Sequence, residues 1–561
     1  MMKRLLVLVL LFLAVIGVTA WNNSTDIILA LAKFRTSQTY SDIAPTRDIP
    51  WQKGPAVPAQ PASERAPNII LIVADDLGYN DISTFGGGVG GMQTPGIDRL
   101  AAEGAVFTQS YSGASSCAPS RAMLMTGRYP TRTGFEFTPM PDGMARIVSA
   151  ISAGIDNGMP PTLYDSAKEA EQPPYAEKGL LASEWTIAEL LKTQGYYTAH
   201  IGKWHLGREN GMAPVDQGFD DSLLMSGGLY LPEDDPGVVN AKLDFDPIDQ
   251  FLWAGTGFGA TYNSVNIDED LFEPGGYLTD YWTDEAINVI EANKHRPFFL
   301  YLAHFGPHTP LQATREDYDA LEGIEPHAKR VYAGMVRALD RSVARILEAL
   351  EGADVADNTI VVFTSDNGGA GYIGLPEVNS PFRGWKGIMF EGGLRVPLFV
   401  KWPAKIRAGT VSNRPVAHID VMPTLAAAAG APHPEGVEID GVDLLPLATG
   451  EGAENWNRDT LFWQSGHYQV VRHGDWKLQI NDGPAQGLRK WLYNLAEDPT
   501  EQNNLAVTRS SKMEELSQLL AEHQASSRGP MYEPSVQMPV MVDKTLAEQF
   551  EPGDEYVYTP N

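Results

Sequence analysis

Four residues that can offer oxygen ligands follow two apolar runs of the sequence: Asp75, Asp76, Asp366 and Asn367. The runs, over residues 68–74 and 359–365, have the continuous apolar character of strands buried on both faces. Ligands of open α/β sheets bind outside the carboxyl ends of strands, so the two pairs can share one site. Carboxylate and amide oxygens suit Ca²⁺ or Mg²⁺ rather than zinc. Either pair alone would more often form a turn, but both together, each ending an apolar run, predict a metal site.

The single cysteine, Cys117, stands where a helix is predicted to begin. Pro119 suits the first turn of that helix and Gly127 its end. A helix N-terminus carries free N–H groups and the positive end of the dipole, and Arg121 lies one turn later on the same face. The spacing predicts an anion site with a sulfur nucleophile at its mouth. The alternative is an ordinary buried thiol on a capped helix.

Alternating helical and strand patterns must position these residues. Helices are predicted over residues 184–194, 282–292 and 327–350, and strands over residues 68–74, 196–201, 298–303 and 358–365. This alternation predicts an α/β fold with a large, mainly parallel sheet flanked by helices. Beyond about residue 450, short runs occur at 461–463, 468–472 and 476–480, followed by a helical pattern at 511–524. They predict a smaller C-terminal antiparallel sheet plus helix.

The composition indicates an acidic globular protein and excludes several other classes. The 561 residues carry 71 acidic and 42 basic side chains, a formal charge of −29, and 43% are apolar. That apolar content is too high for a disordered chain. Beyond the N-terminus the sequence has no apolar run of ~20 residues, which excludes a polytopic membrane protein. An acidic surface repels a phosphate backbone, so no nucleic-acid partner is expected.

The N-terminus is predicted to be an export signal. Lys3 and Arg4 precede an apolar run over residues 5–18, and small residues allow cleavage after Ala20. A membrane anchor is the alternative, but the run is shorter than the ~20 residues that span a bilayer. We therefore expect a periplasmic or secreted protein with no stable membrane insertion after cleavage. The predicted domains are residues 1–20 (signal peptide), 21–67 (N-terminal extension and proline-rich linker), 68–450 (main domain) and 451–561 (C-terminal α+β subdomain).

Residues 117–121 (CAPSR), followed by Leu124, Thr126, Gly127 and Arg128, resemble the signature of the type I sulfatases, in the alkaline phosphatase superfamily. Further blocks similar to that family occur in order at residues 75–76, 202–207, 307–310, 366–368, 383–387, 391–397 and 492–501. The resemblance covers nearly the whole chain from residue 68 onward. It implies an alkaline phosphatase-like fold, an arylsulfatase-like sulfuric ester hydrolase, and residues 68–450 as the catalytic domain.

The resemblance also implies a nucleophile and a cation. In this family the signature cysteine is converted after translation to Cα-formylglycine, so a formylglycine-generating enzyme is an expected partner during maturation. The hydrated aldehyde at residue 117 would attack the sulfur of a sulfate monoester. A divalent cation, with Ca²⁺ favoured over Mg²⁺, would lower the pKa of the attacking hydroxyl. The implied metal ligands are Asp75, Asp76, Cys117 after its conversion, Asp366 and Asn367.

Five further residues receive catalytic roles from the resemblance. Lys203 and Lys386 would hold the sulfate oxygens, and Arg121 would fix residue 117. His308 would protonate the leaving group. His205 would take a proton from the second hydroxyl, which expels sulfate and restores the aldehyde. The residues expected to be structural instead are His200, His304, His418 and Asp420.

Alternative functions use the same residues. A phosphodiesterase or phosphonate monoester hydrolase of the superfamily would share the formylglycine, but the lysine and histidine blocks follow the sulfatase pattern. A sulfated-glycan-specific sulfatase would share the whole site. A non-catalytic binding protein would keep the fold and lose a ligand or the cysteine, and none is lost here.

The substrate is expected to be a small-molecule or carbohydrate sulfate ester. The insertions at residues 138–178 and 229–263 are expected to wall the pocket, because loops carry specificity. Within the second, Trp253, Phe258 and Tyr262 would either stack on an aryl or sugar ring or hold the loop in place. The net charge disfavours steering of a polyanionic polysaccharide and so favours a small aryl or alkyl sulfate.

Overall fold

The computed structural model describes residues 24–264, 267–268 and 270–561. The signal peptide predicted over residues 1–20 lies outside the described residues. Among the helices described, none combines the length and the apolar character needed to span a membrane.

Strands of two to eight residues are distributed along the described chain. In chain order they are β1 (Asn68–Ala74), β2 (Ala105–Phe107), β3 (Ser110–Tyr111), β4 (Leu163–Tyr164), β5 (Tyr197–Gly202), β6 (Asp221–Met225), β7 (Val238–Ala241), β8 (Ala260–Ser264), β9 (Ile267–Asp268), β10 (Phe298–Ala303), β11 (Leu311–Thr314), β12 (Thr359–Ser365), β13 (Leu398–Lys401), β14 (Thr410–Ser412), β15 (Val416–Ala417), β16 (Thr460–Ser465), β17 (Tyr468–His473), β18 (Trp476–Gly483), β19 (Gly487–Asn494), β20 (Val536–Met541) and β21 (Tyr556–Pro560).

Helices connect these strands and cover the sheets. In chain order they are α1 (Ser24–Tyr40), α2 (Pro95–Ala102), α3 (Cys117–Thr126), α4 (Pro130–Thr133), α5 (Met144–Ser152), α6 (Ser166–Glu171), α7 (Ile187–Lys192), α8 (Pro247–Gly255), α9 (Leu278–Asn293), α10 (Arg315–Asp319), α11 (His327–Gly352), α12 (Glu391–Leu394), α13 (Val421–Ala429), α14 (Leu445–Thr449) and α15 (Ser510–Ala525).

A ten-stranded sheet, in the order β14-β2-β13-β12-β1-β10-β5-β6-β8-β9, forms the centre of the molecule. Its five central strands, β12 to β6, pair in parallel, whereas β13 and β8 join them antiparallel. The predicted mainly parallel sheet flanked by helices is therefore confirmed. Predicted strands 68–74 and 298–303 coincide with β1 and β10, while the helix predicted over 184–194 is shorter, because it begins after the capping residue Thr186.

The central strand β1 shows why the sheet is covered on both faces. All seven of its residues are buried, and alternate side chains of a strand point to opposite faces. Ile70 and Ile72 join a core with residues of α9 and α11, whereas Leu71 and Val73 join a second core with residues of α3, α7 and α13. A continuous apolar run is the sequence signature of such a strand.

The C-terminal part forms the predicted small antiparallel sheet and helix. Strands β16, β17, β18 and β19 pair antiparallel in chain order, and α15 packs on one face through Leu516 and Leu520. The fourth strand, β19, is an addition to the prediction. A third sheet, β21-β20-β4, joins the C-terminal end of the chain to residues 163–164. The division of the chain at residues 67 and 450 stays a prediction.

A buried ion cluster joins the small sheet to α12 and β3. The Lys477 ammonium on β18 lies 2.9 Å from Glu391 Oε1 and 3.0 Å from Glu501 Oε1. Arg395 Nη1 approaches Glu391 Oε2 at 3.3 Å, and Tyr111 donates a hydrogen bond of 2.9 Å to the same oxygen. Buried charges are tolerated when they are paired in this way.

Replacing the cation at the centre of this cluster should destabilise the fold. Lys477→Met leaves Glu391 and Glu501 buried together without their shared cation, and removing one partner of such a pair costs about 3–5 kcal/mol. Thermal unfolding should show a clear fall in Tm. The control is Lys294→Met, whose side chain is 34% exposed against 0% for Lys477. Equal Tm values for the two variants would contradict the role of the cluster.

Candidate active site

The site lies at the carboxyl ends of β1 and β12. These strands pair in parallel register, Ala74 beside Ser365, so the residues that follow them are neighbours. The Asp76 amide donates to Asp366 Oδ1 at 3.2 Å, and Asn367 Nδ2 donates to Asp76 Oδ1 at 2.8 Å. The structure therefore brings together the two residue pairs that the sequence placed at strand ends.

Cys117 is the first residue of α3 and lies against the first carboxylate pair. Its thiol donates to Asp75 Oδ1 at 3.5 Å and to Asp76 Oδ1 at 3.8 Å, and only 2% of its surface is exposed. Burial, together with the negative charge of Asp366, raises the pKa of the Cys117 thiol far above its usual range. The unmodified thiol is thus protonated near neutral pH and is a weak nucleophile.

Three cations from different parts of the chain face these carboxylates. Arg121 Nε donates to Asp366 Oδ2 at 2.8 Å. The Lys203 ammonium, just after β5, lies 2.6 Å from Asp75 Oδ2, and the Lys386 ammonium lies 2.7 Å from Asp76 Oδ1. Both lysines are largely buried, in contrast to the surface position expected of a lysine taken singly.

The charges shift the pKa values of the two neighbouring aspartates in opposite directions. Burial and the negative charge of Asp366 raise the pKa of Asp75 to about 7. Burial also disfavours the charged form of Asp76, but neighbouring positive charge, above all that of Lys386, outweighs it and holds the pKa of Asp76 below its usual range. Pairs with divergent pKa values mark candidate functional sites.

Two histidines, His205 and His308, lie beside these carboxylates and lysines. We call this set of charged and polar side chains the floor of the site. His308 Nε2 lies 3.6 Å from Asp76 Oδ2, and burial with the charge of Lys386 lowers the pKa of His308 to about 3. Burial followed by the charge of Lys203 holds the pKa of His205 well below its usual range. His205 has a left-handed backbone at φ +64°, as does Asp76, and non-glycine residues in this conformation cluster at functional sites.

The oxygen donors fit a hard divalent cation. Ligand atoms of Asp75, Asp76, Cys117 and His308 all lie within 4.8 Å of one another. Asn367 Oδ1 is buried and accepts no hydrogen bond from the described residues, as expected of an oxygen kept for a ligand. Asp366 sits beside this group with its carboxylate bound to Arg121. The residues present therefore suit Ca²⁺ or Mg²⁺.

Tyr372 is a site residue that the sequence did not reveal. Its hydroxyl donates to Asp76 Oδ2 at 2.9 Å and accepts from Lys386 Nζ at 3.2 Å. It lies five residues beyond Asn367 in a glycine-rich segment, and this closeness to a predicted ligand was the one feature of the sequence that could have indicated it.

The histidines expected to be structural are engaged within the protein. His418 lies 3.1 Å from Ser120 Oγ and 3.0 Å from Thr364 Oγ1 through its two ring nitrogens, which joins α3 to β12. His200 and His304 pair with Ser222 and Ser342. Asp420 caps its own turn through the Ala417 amide.

A cavity of about 650 Å³ opens above this floor. Residues of both insertions, 138–178 and 229–263, line it, as the sequence suggested. Residues 538–561 add a third wall that was not predicted. Trp253, Phe258 and Tyr262 are buried in the core, so they hold their loop and do not stack on a ligand.

Comparison with known proteins places this geometry in a family. The protein-family model described as Sulfatase matches residues 67–431. A second family model, described as N-sulphoglucosamine sulphohydrolase, C-terminal, matches residues 383–530. The human N-acetylgalactosamine-6-sulfatase is 35% identical over 384 residues, which cover 68% of this chain and 65% of that protein. The mouse steryl-sulfatase is 32% identical over 482 residues, with 76% of this chain and 71% of that protein covered.

A solved structure agrees with these relatives. The crystal structure of Ps i-CgsB in complex with k-i-k-neocarrahexaose superposes with a TM-score of 0.66 at 31% identity. The superposition covers 83% of this chain and 95% of that chain.

Proposed function

The chain belongs to the sulfatase family, and from that premise we propose that it hydrolyses a sulfate monoester with residue 117 as the nucleophile. The observation that carries the proposal is the position of Cys117 at the start of α3, against Asp75 and Asp76 and below the cavity. The buried, protonated thiol is poorly suited to attack by itself. Conversion of Cys117 to Cα-formylglycine would replace it with a hydrated aldehyde that carries two hydroxyl groups.

The surrounding side chains suit the two halves of the proposed reaction. In the first, one hydroxyl of the hydrate loses its proton to solvent, its oxygen forms a bond to sulfur, and the bond from sulfur to the ester oxygen breaks as that oxygen takes a proton from His308. Burial and then the charge of Lys386 lower the pKa of His308, and a bound sulfate would raise that pKa by offsetting the charge of Lys386. In the second, neutral His205 accepts the proton of the remaining hydroxyl, the carbon–oxygen bond to sulfate breaks, and the aldehyde returns.

Positive side chains would bind the sulfate before and during this reaction. Lys203 and Lys386 lie at the floor of the cavity and can hold the sulfate oxygens where charge develops. Arg121 is fully buried, and its hydrogen bond to Asp366 holds the N-terminal half of α3 in place. It would therefore act by positioning residue 117, the first residue of that helix.

A divalent cation is part of the proposal. Asp75, Asp76, Asp366, Asn367 and residue 117 would hold it, with Ca²⁺ preferred over Mg²⁺. When bound, it supplies positive charge that lowers the pKa of a nearby hydroxyl and offsets the charge of the sulfate.

Export to the periplasm or the cell exterior is proposed on the sequence of residues 1–20. A chain with one buried cysteine needs no disulfide and tolerates an oxidising compartment. Maturation would then require a formylglycine-generating enzyme in the host.

The nucleophile is tested by peptide mass spectrometry together with turnover. Protein from its native host should show residue 117 with two hydrogens and one sulfur lost and one oxygen gained. Cys117→Ala should fold normally and release sulfate from 4-nitrophenyl sulfate at least ~10³-fold more slowly. An intact thiol in fully active protein would contradict the formylglycine. Faster hydrolysis of phenylphosphonate monoesters than of sulfates would favour the phosphonate alternative.

Cation binding is tested by thermal unfolding, independently of activity. Ca²⁺ should raise the Tm of EDTA-treated protein, because a ligand of the folded state stabilises it. Asn367→Ala removes one oxygen ligand and should weaken Ca²⁺ binding by ~10-fold or more. Asn503→Ala, at an exposed position far along the chain, is the matched control. The same Ca²⁺ titration for both variants would remove Asn367 from the ligand set.

Tyr372 is tested as a positioning residue. Tyr372→Phe removes the hydroxyl that binds both Asp76 and Lys386, so the ammonium that holds sulfate should be less well placed. We expect kcat/KM to fall by ~10-fold, mainly through KM, with Tm nearly unchanged. Tyr556→Phe, outside the cavity, should have neither effect. A loss confined to Tm would indicate a structural role alone.

A further inference from the structure

The first wall of the cavity presents apolar side chains above the charged floor. It consists of α5 and the segment after it, and Met144, Ile155 and Met159 line the cavity. Val148 and Ile151, on the same face of α5, are buried against Phe251 of α8, and Met144 and Ile155 pack partly against this cluster, so apolar packing holds the helix in place. The side chains of Met144, Ile155 and Met159 present thioether and hydrocarbon groups to the cavity.

The second wall continues the same surface. Phe245, Ile248 and Leu252 line the cavity, and the last two lie one turn apart on α8. Asp246, beside them, is the N-cap of α8: its carboxylate accepts hydrogen bonds from the amides of Ile248 and Asp249 at 2.9 and 3.0 Å. That carboxylate is therefore committed to the helix.

The third wall comes from the C-terminal end of the chain. Met538 and Val540, two residues apart on β20, line the cavity together with Leu546. Because β20 pairs with β4, this wall is hydrogen-bonded to the first insertion. Segments far apart in sequence thus close the apolar surface into one cavity.

Several polar side chains of the walls are engaged within the protein itself. Asn157 Oδ1 accepts from the Met159 amide and Thr256 Oγ1 from the Gly228 amide. The Lys544 ammonium lies 2.7 Å from Asp554. Arg208 lies exposed at the rim. A sugar is recognised through hydrogen bonds to its hydroxyls, and the wall groups that already bond within the protein are less able to make them.

The size of the cavity fits one compact molecule. A volume of about 650 Å³ is within the range of small-molecule sites, whose walls are mainly apolar with a few polar groups that fix orientation. The charged groups of the floor, at the sulfate end, would fix the orientation of such a molecule.

We infer that the group that carries the sulfate is a compact, apolar ring system or branched hydrocarbon, held by these three walls, and not a sugar. The inference rests on the proposed function, since it concerns the substrate of the same site. Leu252 and Met538 would set specificity through contact with that group.

Two esters with the same type of leaving group test this. Cyclohexylmethyl sulfate and galactose 6-sulfate are both primary alkyl sulfates on a six-membered ring, one hydrocarbon and one hydroxylated. With the mature enzyme, sulfate release should show kcat/KM at least ~10-fold higher for cyclohexylmethyl sulfate, because apolar walls bind hydrocarbon and leave hydroxyls unpaired.

Variants locate the preference in the walls. Leu252→Ser and Met538→Ser should each lower kcat/KM for cyclohexylmethyl sulfate by ~10-fold while changing that for galactose 6-sulfate by less than ~2-fold. Leu519→Ser and Met531→Ser, partly buried residues outside the cavity, are the matched controls and should leave the ratio unchanged. Two independent wall variants keep the test valid if one fails to fold.

The outcomes separate this inference from the proposed function. Faster turnover of galactose 6-sulfate would overturn the inference and leave the sulfatase proposal standing. No sulfate release from either ester or from 4-nitrophenyl sulfate would overturn both. A preference for the hydrocarbon ester that survives both wall substitutions would overturn the assignment to Leu252 and Met538.

Discussion

The interaction on which the site depends is the pairing of buried carboxylates with buried cations at one edge of the central sheet. Asp75 and Asp366 end two adjacent parallel strands, and neither could stay ionised there without opposite charge. Arg121 arrives on α3, Lys203 after β5 and Lys386 from the segment after β12. Electrostatic neutrality therefore ties four separate parts of the chain to one point, and the same charges that stabilise the carboxylates are those that a sulfate would meet.

Elements buried on both faces could be predicted from the sequence, and the reason is physical. β1 and β10 are continuous apolar runs because helices cover both faces of the sheet. The first and last residues of these strands can therefore be located in the sequence. β19 was missed because its first residues, including Leu488 and Arg489, are exposed and lack an apolar run. The candidate site residues predicted at strand ends and in strong motifs lie together in the structure. Tyr372 was not, since a lone tyrosine carries no spacing signal, and its role arises only when the chain folds it onto Asp76.

The walls of the cavity could be predicted from the sequence only in part. The two insertions were expected to line the pocket because they are loops. The contribution of Met538 could not be expected in the same way, because it depends on β20 pairing with β4, a contact between segments far apart in sequence. The aromatic residues of the second insertion illustrate the converse. Trp253 and Phe258 are the types that stack on ligands, yet both are buried in the same hydrophobic core as Ile70 and Ile72 of β1 and do not line the cavity.

The net charge of the chain is opposite in sign to the charge of the lysines at the floor of the cavity. The chain carries a formal charge of −29, while the floor of the cavity presents Lys203 and Lys386. Screening limits the reach of surface charges to about 8 Å at physiological ionic strength, so a small monoanion inside the cavity interacts chiefly with the cations of the floor. An extended polyanion would leave most of its charge outside, against an acidic surface. The electrostatic and apolar features of the cavity thus favour the same ligand, a single sulfate on a compact hydrocarbon.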